Sequence, residues 1–202
     1  MELTLLTQKG FVEDEATHLT SLFKAGLEVL HLKKSNWSTH EIEELIQDIP
    51  KEFHGKIIIH GHYNLALKYK LKGIHLRRKH RAPKLSNRFK WAWLKLRQPG
   101  LVICTTFHGI QSLKENQTRF DYAFLGSVFN SHSHFSQNEE AGINLLKSII
   151  RNANIPIYAL GGVNRERVPL VEAAGFTGYG VCRAIWQSDK SPTQAYTDLV
   201  VG

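Results

Sequence analysis

The sequence of 202 residues lacks any apolar run near the roughly 18 residues that a membrane-spanning helix needs, and it has only two cysteines. Its start, MELTLLTQKG, carries acidic and polar groups where a secretory signal would need a basic and then an apolar segment. Cys104 and Cys182 each lie in an apolar, strand-like run, which suits a small buried side chain better than a disulfide or a metal-binding framework. We therefore expect a globular protein of the cytoplasm, without a membrane span.

Acidic residues are absent from residues 77–97, although the whole chain has 18 of them against 26 lysines and arginines. This segment, RRKHRAPKLSNRFKWAWLKLR, holds nine basic residues, so the rest of the chain is close to neutral. Its interleaved aromatic residues could stack on bases, which is one interpretation. In the other, the aromatic residues pack a helix on the protein and the charges face solvent. We favour the second, and nucleic acid is not the expected partner.

Short apolar runs of strand type alternate with stretches of helical period along the whole chain. The predicted strands are 3–7, 28–34, 56–61, 73–78, 101–107, 122–129, 155–162 and 178–185. The predicted helices are 14–25, 38–49, 63–71, 85–96, 109–117, 138–152, 164–174 and 192–200.

Nearly continuous apolar strands are typical of a parallel sheet covered by helices, and eight βα units close into a barrel. The prediction is an α/β fold, a compact (β/α)8 TIM barrel that forms a single domain over residues 1–202. The alternative, an open doubly wound sheet, would show a glycine-rich turn after the first strand, and LTQKGF is not such a turn.

The chemistry of such barrels lies at the carboxyl ends of the strands. Here these ends are rich in histidine, basic and small residues, and no aspartate or glutamate ends a strand. The residues concerned are His31, Lys33, His60, His62, His75, Arg77, Arg78, Thr106, His108, Ser131, Ser133, His134, Gly161, Gly162, Cys182 and Arg183.

Several of the segments that end in these residues also fall in a known order and spacing. They include IIIHGHYNLAL, GIHLRR, TTFHGIQSL, DYAFLGSVF and IPIYALGGVN, followed by GFTGYGVCRAI. Over nearly the whole chain the sequence resembles the thiamine phosphate synthase and TenI superfamily. The resemblance implies one of two reactions. Synthase-like members join a pyrimidine diphosphate to a thiazole phosphate and release diphosphate with magnesium, whereas TenI-like members isomerise a thiazole carboxylate phosphate to its aromatic tautomer.

The chain departs from the family where magnesium and diphosphate bind. The family pattern I-x-N-D after strand 3 reads here as His60 and Gly61, and the aspartate of G-x-H-L-G-Q-x-D after strand 4 is His80. Magnesium prefers oxygen ligands, so glycine and histidine replace the two carboxylates poorly. We therefore expect no cofactor, and magnesium only if the protein is a synthase.

The resemblance also implies a diphosphate motif, Q-x-R-x-K, which here becomes His31, Lys33 and Ser35. The lysine of the family's T-x-T-K after strand 6 is His134. Arg77 and Arg78, with Lys79, leave strand 4 near the missing metal, which makes these cations candidates to replace it. The substrate-binding residues implied are His31, Lys33, His60, Arg77, Arg78, Thr106, Ser131, Ser133 and His134.

The thiazole phosphate half of the site matches the family better. Gly161 and Gly162 stand at a strand-to-helix turn where a tight turn alone would favour glycine, but loops after strands 7 and 8 commonly bind phosphate in this fold. The start of the next helix, NRERV, would offer backbone N–H groups to an anion. The predicted phosphate-binding residues are Gly161, Gly162, Gly180, Cys182 and Arg183.

His108 follows strand 5 and matches a histidine that resembles the TenI acid/base residue. A histidine here could simply be hydrogen-bonded in the core, but an imidazole with a pKa of about 6.5 can also remove and return a proton at neutral pH. The leading hypothesis is a TenI-like tautomerase that acts on a small phosphorylated heterocycle, with His108 as the catalytic residue.

Three alternatives remain open. The first is a divergent thiamine phosphate synthase. The second is a metal-dependent hydrolase, because His60 and His62, one residue apart on a strand, would point the same way and could bind zinc with His75 or His80. The third is a non-catalytic binder of a phosphate ligand or nucleic acid. A homodimer is the expected assembly.

Overall fold

In the computed structural model, which describes residues 1–80, 85–116, 118–129 and 139–201, eight parallel strands form a closed barrel. Each strand pairs with its neighbours in sequence, and the first also pairs with the last. The predicted (β/α)8 barrel is confirmed. Its strands are β1 Glu2–Leu6, β2 Leu30–Leu32, β3 Ile57–Ile59, β4 Gly73–Leu76, β5 Val102–Phe107, β6 Tyr122–Gly126, β7 Ile157–Leu160 and β8 Gly178–Val181.

Helices surround the barrel and connect the strands. They are α1 Glu15–Lys24, α2 Thr39–Asp48, α3 Asn64–Lys68, α4 Leu85–Arg97, α5 Ile110–Lys114, α6 Glu139–Arg151, α7 Val168–Ala173, α8 Arg183–Trp186 and α9 Pro192–Val201. Within the described residues, 3-10 turns cover Lys51–Lys56, Arg78–His80 and Arg165–Arg167. In the described residues, no helix is both long and apolar enough to cross a membrane.

Helix α2 shows how the local sequence fixes an element. Ser38 Oγ accepts a hydrogen bond from the backbone N–H of Glu41, and the Glu41 carboxylate accepts one from the backbone N–H of Ser38. This capping box satisfies two backbone donors that a helix start leaves free. The helix then buries Ile42, Leu45 and Ile46, whose spacing of three and four residues places them on one face.

Most of the strands are shorter than their apolar runs predict. The run 178–185 is the clearest case, because β8 ends at Val181 and the chain turns at Cys182 into α8. An apolar run can equally be one face of a helix, and Ile185 on α8 is only 1% exposed. The sequence pattern alone therefore missed this short helix at the mouth of the barrel.

The core has two layers. A large outer cluster fills the space between the strands and the helices, with members such as Leu30, Ile57 and Leu76. A smaller inner cluster lies inside the barrel, where Leu6, Phe124 and Tyr158 pack together. The rest of the interior facing β2, β3 and β4 is polar, and this polar half leads up to the candidate site.

Candidate active site

Three buried histidines occupy the polar half of the barrel interior. His31 Nδ1 lies 2.9 Å from His60 Nε2, and His31 Nε2 lies 2.5 Å from the hydroxyl of Tyr122. The His60 ring stacks on that of His75, with the ring centroids 3.9 Å apart. His75 Nε2 in turn lies 2.8 Å from Thr106 Oγ1. Hydrogen bonds and one ring-stacking contact thus connect these residues in a row, from Tyr122 on β6 to Thr106 on β5.

Burial keeps these imidazoles uncharged. It lowers the pKa of His31 and of His60 well below the ordinary value, and the nearby His75 lowers both further. Burial also lowers the pKa of His75, to about 3. A neutral imidazole has one nitrogen that donates and one that accepts, so His31 can link the Tyr122 hydroxyl to His60 in a directed chain of hydrogen bonds.

Above this row, a cavity of about 300 Å³ opens at the carboxyl ends of the strands. Its size is at the lower end of ligand sites, which fits a small molecule. Its wall brings together residues that end or follow five strands, β2, β3, β4, β5 and β7. It includes Lys33, Ser35, His60, His75, Arg77, Arg78, Thr106, His108 and Leu160. The structure thus brings six predicted site residues, Lys33, His60, Arg77, Arg78, Thr106 and His108, to one cavity.

His108 is the exposed histidine of this cavity, directly after the last residue of β5, Phe107. It lies close enough to His75 for its charge to lower the pKa of that residue. Among the described histidines that line the cavity, His108 is therefore the solvent-accessible imidazole, and the buried, neutral His75 lies behind it. This is an arrangement in which a proton can be taken up at the surface of the cavity and not in the buried row.

Arg77 occupies the space where the family resemblance predicts a metal-binding carboxylate. A Cβ atom built on Gly61 would lie 3.1 Å from Arg77 Nη2, and the backbone φ of Gly61 is +102°. An aspartate at this position would be strained and would meet the guanidinium. His80, at the second carboxylate position, contacts the Tyr63 ring edge-on, with centroids 5.8 Å apart. The residues present do not fit magnesium.

The hypothesis that His60 and His62 share one face of a strand is wrong. Strand β3 ends at Ile59, and Gly61 and His62 both have positive φ, so the chain turns between the two histidines. His60 points into the barrel, whereas His62 Nδ1 lies 2.7 Å from Thr39 Oγ1. In the part of the chain that the structure describes, no cluster of three or more His, Cys, Asp or Glu side chains is placed to hold a metal ion.

Gly161 and Gly162 both adopt left-handed backbone conformations, with φ of +98° and +75°. A Cβ on Gly161 would lie 2.3 Å from Ser127 Oγ, and one on Gly162 would lie 2.7 Å from the carbonyl oxygen of Phe129. The segment after β6 therefore comes close enough to exclude side chains here. Arg167 Nη1 donates to the Gly162 carbonyl oxygen at 2.7 Å, which holds the turn from the other side.

The predicted phosphate-binding residues after β7 do not all meet in one place. Gly180 lies inside the barrel, where a Cβ would be 2.9 Å from Leu160 Cδ1 and 3.0 Å from Phe124 Cε1. Its small size therefore serves packing in the interior. Cys182 is partly buried and donates from Sγ to the Thr7 carbonyl oxygen at 3.6 Å, and Arg183 is exposed at the start of α8.

Three predicted residues, Ser131, Ser133 and His134, lie outside the described residues. His31 is fully buried, with both ring nitrogens engaged, so it reaches the cavity only through His60. Sequence reasoning missed Tyr122, which ends the row of histidines. One sequence signal could have identified Tyr122. It lies two residues before Phe124 on β6, so both side chains face the barrel interior.

The comparisons with known proteins agree on one group. A family model described as thiamine monophosphate synthase matches residues 3–185. A thiamine-phosphate synthase of Clostridium novyi is 23% identical over 193 residues, covering 93% of this chain and 92% of the relative. One of Klebsiella pneumoniae is 27% identical over 183 residues, covering 88% and 83%. A thiamine phosphate pyrophosphorylase structure from Bacteroides thetaiotaomicron matches with a TM-score of 0.75, at 22% identity over 98% and 95% of the two chains.

Proposed function

From the premise that this chain belongs to the thiamine monophosphate synthase family, we propose that it is a TenI-like isomerase. It removes a proton from a ring carbon of a thiazole carboxylate phosphate, or a close phosphorylated heterocycle, and returns it to a carbon attached to the ring, which makes the ring aromatic. The observation that carries the proposal is the position of His108. It is an exposed imidazole on the wall of a 300 Å³ cavity, in a site whose magnesium positions hold Gly61 and His80.

Proton transfer needs a single acid/base group at the reacting carbon. His108 removes a proton from the ring as a neutral imidazole and returns it as imidazolium to a carbon outside the ring, so no net proton is consumed. The neighbouring His75 is held neutral by burial, and its Nε2 is engaged with Thr106 Oγ1. His75 therefore adds no permanent positive charge that would keep His108 from accepting a proton.

The phosphate of the substrate is assigned to the side of the mouth formed after β7. The left-handed turn at Gly161 and Gly162 leaves that backbone without side chains at the carboxyl end of the barrel, where this fold commonly binds phosphate. Arg183 is exposed at the start of α8, directly beyond β8, and provides a positive charge on the same side. The heterocycle then extends across the cavity towards His108.

A two-part assay tests the proposal. The protein is incubated with the thiazole carboxylate phosphate tautomer, and separately with the pyrimidine diphosphate and the thiazole phosphate, each with magnesium and with a chelator. We expect isomerisation in the first mixture under both conditions. Release of diphosphate in the magnesium-containing second mixture, without isomerisation in the first, would contradict the proposal.

A divergent thiamine phosphate synthase is the second candidate. It is favoured by the names of the curated relatives, which are called thiamine-phosphate synthases, and by the retained cation Lys33 on the cavity wall. The same assay separates it from the isomerase, because only a synthase releases diphosphate.

A further inference from the structure

The β2–β4 side of the mouth concentrates positive charge. Lys33 follows β2, and Arg77 and Arg78 follow β4, and all three line the same cavity. Burial and the positive charge of Lys9 lower the pKa of Lys33, and Arg77 contributes in the same direction. Lys33 and Arg77 are therefore close enough to repel each other, and an anion bound between them would relieve that repulsion.

Among the residues that the structure describes, no carboxylate forms an ion pair with this group. In the described ranges, the acidic residues that form ion pairs do so with Lys34, His40, Lys56, Lys68, Lys95 and Lys190, and none pairs with Lys33, Arg77 or Arg78. The contrast with Lys34 is direct. Lys34 also contributes to the cavity wall, but its ammonium group is fully buried, 2.6 Å from Glu15 Oε2 and hydrogen-bonded to the Gly10 carbonyl oxygen.

The backbone at Gly61 fixes where Arg77 can lie. With φ at +102°, the residue after His60 cannot readily carry a side chain, and the guanidinium takes the space that a side chain would fill, with Nη2 3.1 Å from the position of a Cβ. The backbone N–H of Arg77 also faces the Tyr63 hydroxyl at 3.4 Å. Arg77 thus holds a permanent charge at the position that the resemblance assigns to a magnesium ligand.

We propose that Arg77, together with Lys33, binds a second anionic oxygen group of the substrate directly and without a divalent cation. The ligand chemistry is a phosphate, diphosphate or carboxylate group on the β2–β4 side of the mouth, opposite the phosphate after β7. A guanidinium suits this task because its planar N–H groups can bind two oxygens of one anion at once. The inference rests on the proposed function for the location of the site, but its test requires no turnover.

The test is calorimetric titration of the full chain with inorganic diphosphate in 0.1 M salt and a chelator. We expect wild type to bind, and Arg77→Gln to bind roughly 10- to 100-fold more weakly, which is the range for a lost charge-assisted hydrogen bond. The matched control is Arg97→Gln, which removes the same charge at the far end of α4 and should change the affinity by no more than about twofold, because salt screens distant charges.

Arg77→Lys sharpens the result, since it retains the charge and loses the planar geometry; its affinity should fall between those of wild type and Arg77→Gln. Thermal unfolding of each variant checks that it is folded, which we expect because Arg77 is exposed. The proposal is overturned if wild type binds diphosphate only after magnesium is added, if it does not bind at all, or if Arg77→Gln binds as tightly as wild type. If the protein binds diphosphate through Arg77 but shows no isomerase activity, the anion-binding proposal stands and only the proposed function is contradicted.

Discussion

The two sides of the barrel mouth are built by different means. After β7, the turn at Gly161 and Gly162 is set by backbone contacts with the segment that follows β6, so almost any larger residue would collide there. After β2, β3 and β4, the cavity wall is made of side chains such as Lys33 and Arg77. The first side is part of the fold, whereas the second can change its chemistry while the barrel stays intact. This difference gives a physical reason for the expectation that the glycine turn keeps the pattern implied by the resemblance while the side-chain wall departs from it.

The largest expected effect on activity comes from His108, which lies between the two sides of the mouth. Replacing His108 by Asn should lower the turnover of the thiazole carboxylate phosphate about 10²- to 10⁴-fold, the usual range for loss of an acid/base group. Binding of inorganic diphosphate should be unchanged, because the amide removes no permanent charge. Steady-state kinetics and calorimetry measure the two effects. An equal loss of binding and turnover would show that His108 holds the substrate and does not transfer its proton.

The polar half of the interior should make the protein sensitive to acid. The pKa values of His31, His60 and His75 lie below the value of about 6.5 for an unfolded chain, so the unfolded state binds more protons as the pH falls below that value. The contribution of these neutral histidines to the free energy of unfolding is fully present above a pH of about 6.5. It is lost as the pH falls towards the pKa values of the histidines in the folded protein. Between pH 7.5 and 5.5 the three histidines should together remove about 4 kcal/mol from the free energy of unfolding.

Urea unfolding at the two pH values measures this loss. His31→Gln should remove about a third of the pH dependence, because an amide can replace the hydrogen bonds of His31 but does not titrate. A free energy of unfolding that is the same at both pH values would contradict the description of this half of the barrel as a row of neutral histidines.

At the turn of Gly161 and Gly162, we expect the stability of the protein to depend on the volume of the side chain and not on its charge. Gly162→Ala should cost about 1 kcal/mol for its left-handed backbone and a further 1–3 kcal/mol or so for the collision with the Phe129 carbonyl oxygen. The matched control is Gly175→Ala, which has a similar φ of +82° but has no atom within 4 Å of the added Cβ, so only the backbone cost of about 1 kcal/mol applies. If urea unfolding shows equal losses for the two variants, the segment after β6 does not constrain the turn.

The sequence predicts the barrel well because hydrophobic periodicity acts locally. All eight strands were expected at the places where they occur, although runs such as 178–185 extended beyond the ladder into α8. The rule that the carboxyl ends of the strands meet at one face of the barrel also predicts which residues share the cavity. These are Lys33, His60, Arg77, Thr106 and His108.

The contacts within the site could not be predicted in the same way. Which histidines face inwards depends on where each strand ends, and the left-handed turn at Gly61 and His62 separates His60 from His62. The position of Arg77 over Gly61 depends on a backbone dihedral and a rotamer, which periodicity does not reveal. The partner of His31, Tyr122, comes from a strand 91 positions away in the sequence.

Solvent deuterium incorporation tests the central claim, a metal-free proton transfer by His108, most directly. The thiazole carboxylate phosphate tautomer is incubated in deuterated buffer with a chelator, and the product is analysed by proton NMR. We predict that wild type forms the aromatic tautomer and introduces deuterium at the carbon outside the ring that receives the proton, and that His108→Asn does neither at a comparable rate. An absence of conversion by wild type, or a conversion that starts only when magnesium is restored, would contradict the account.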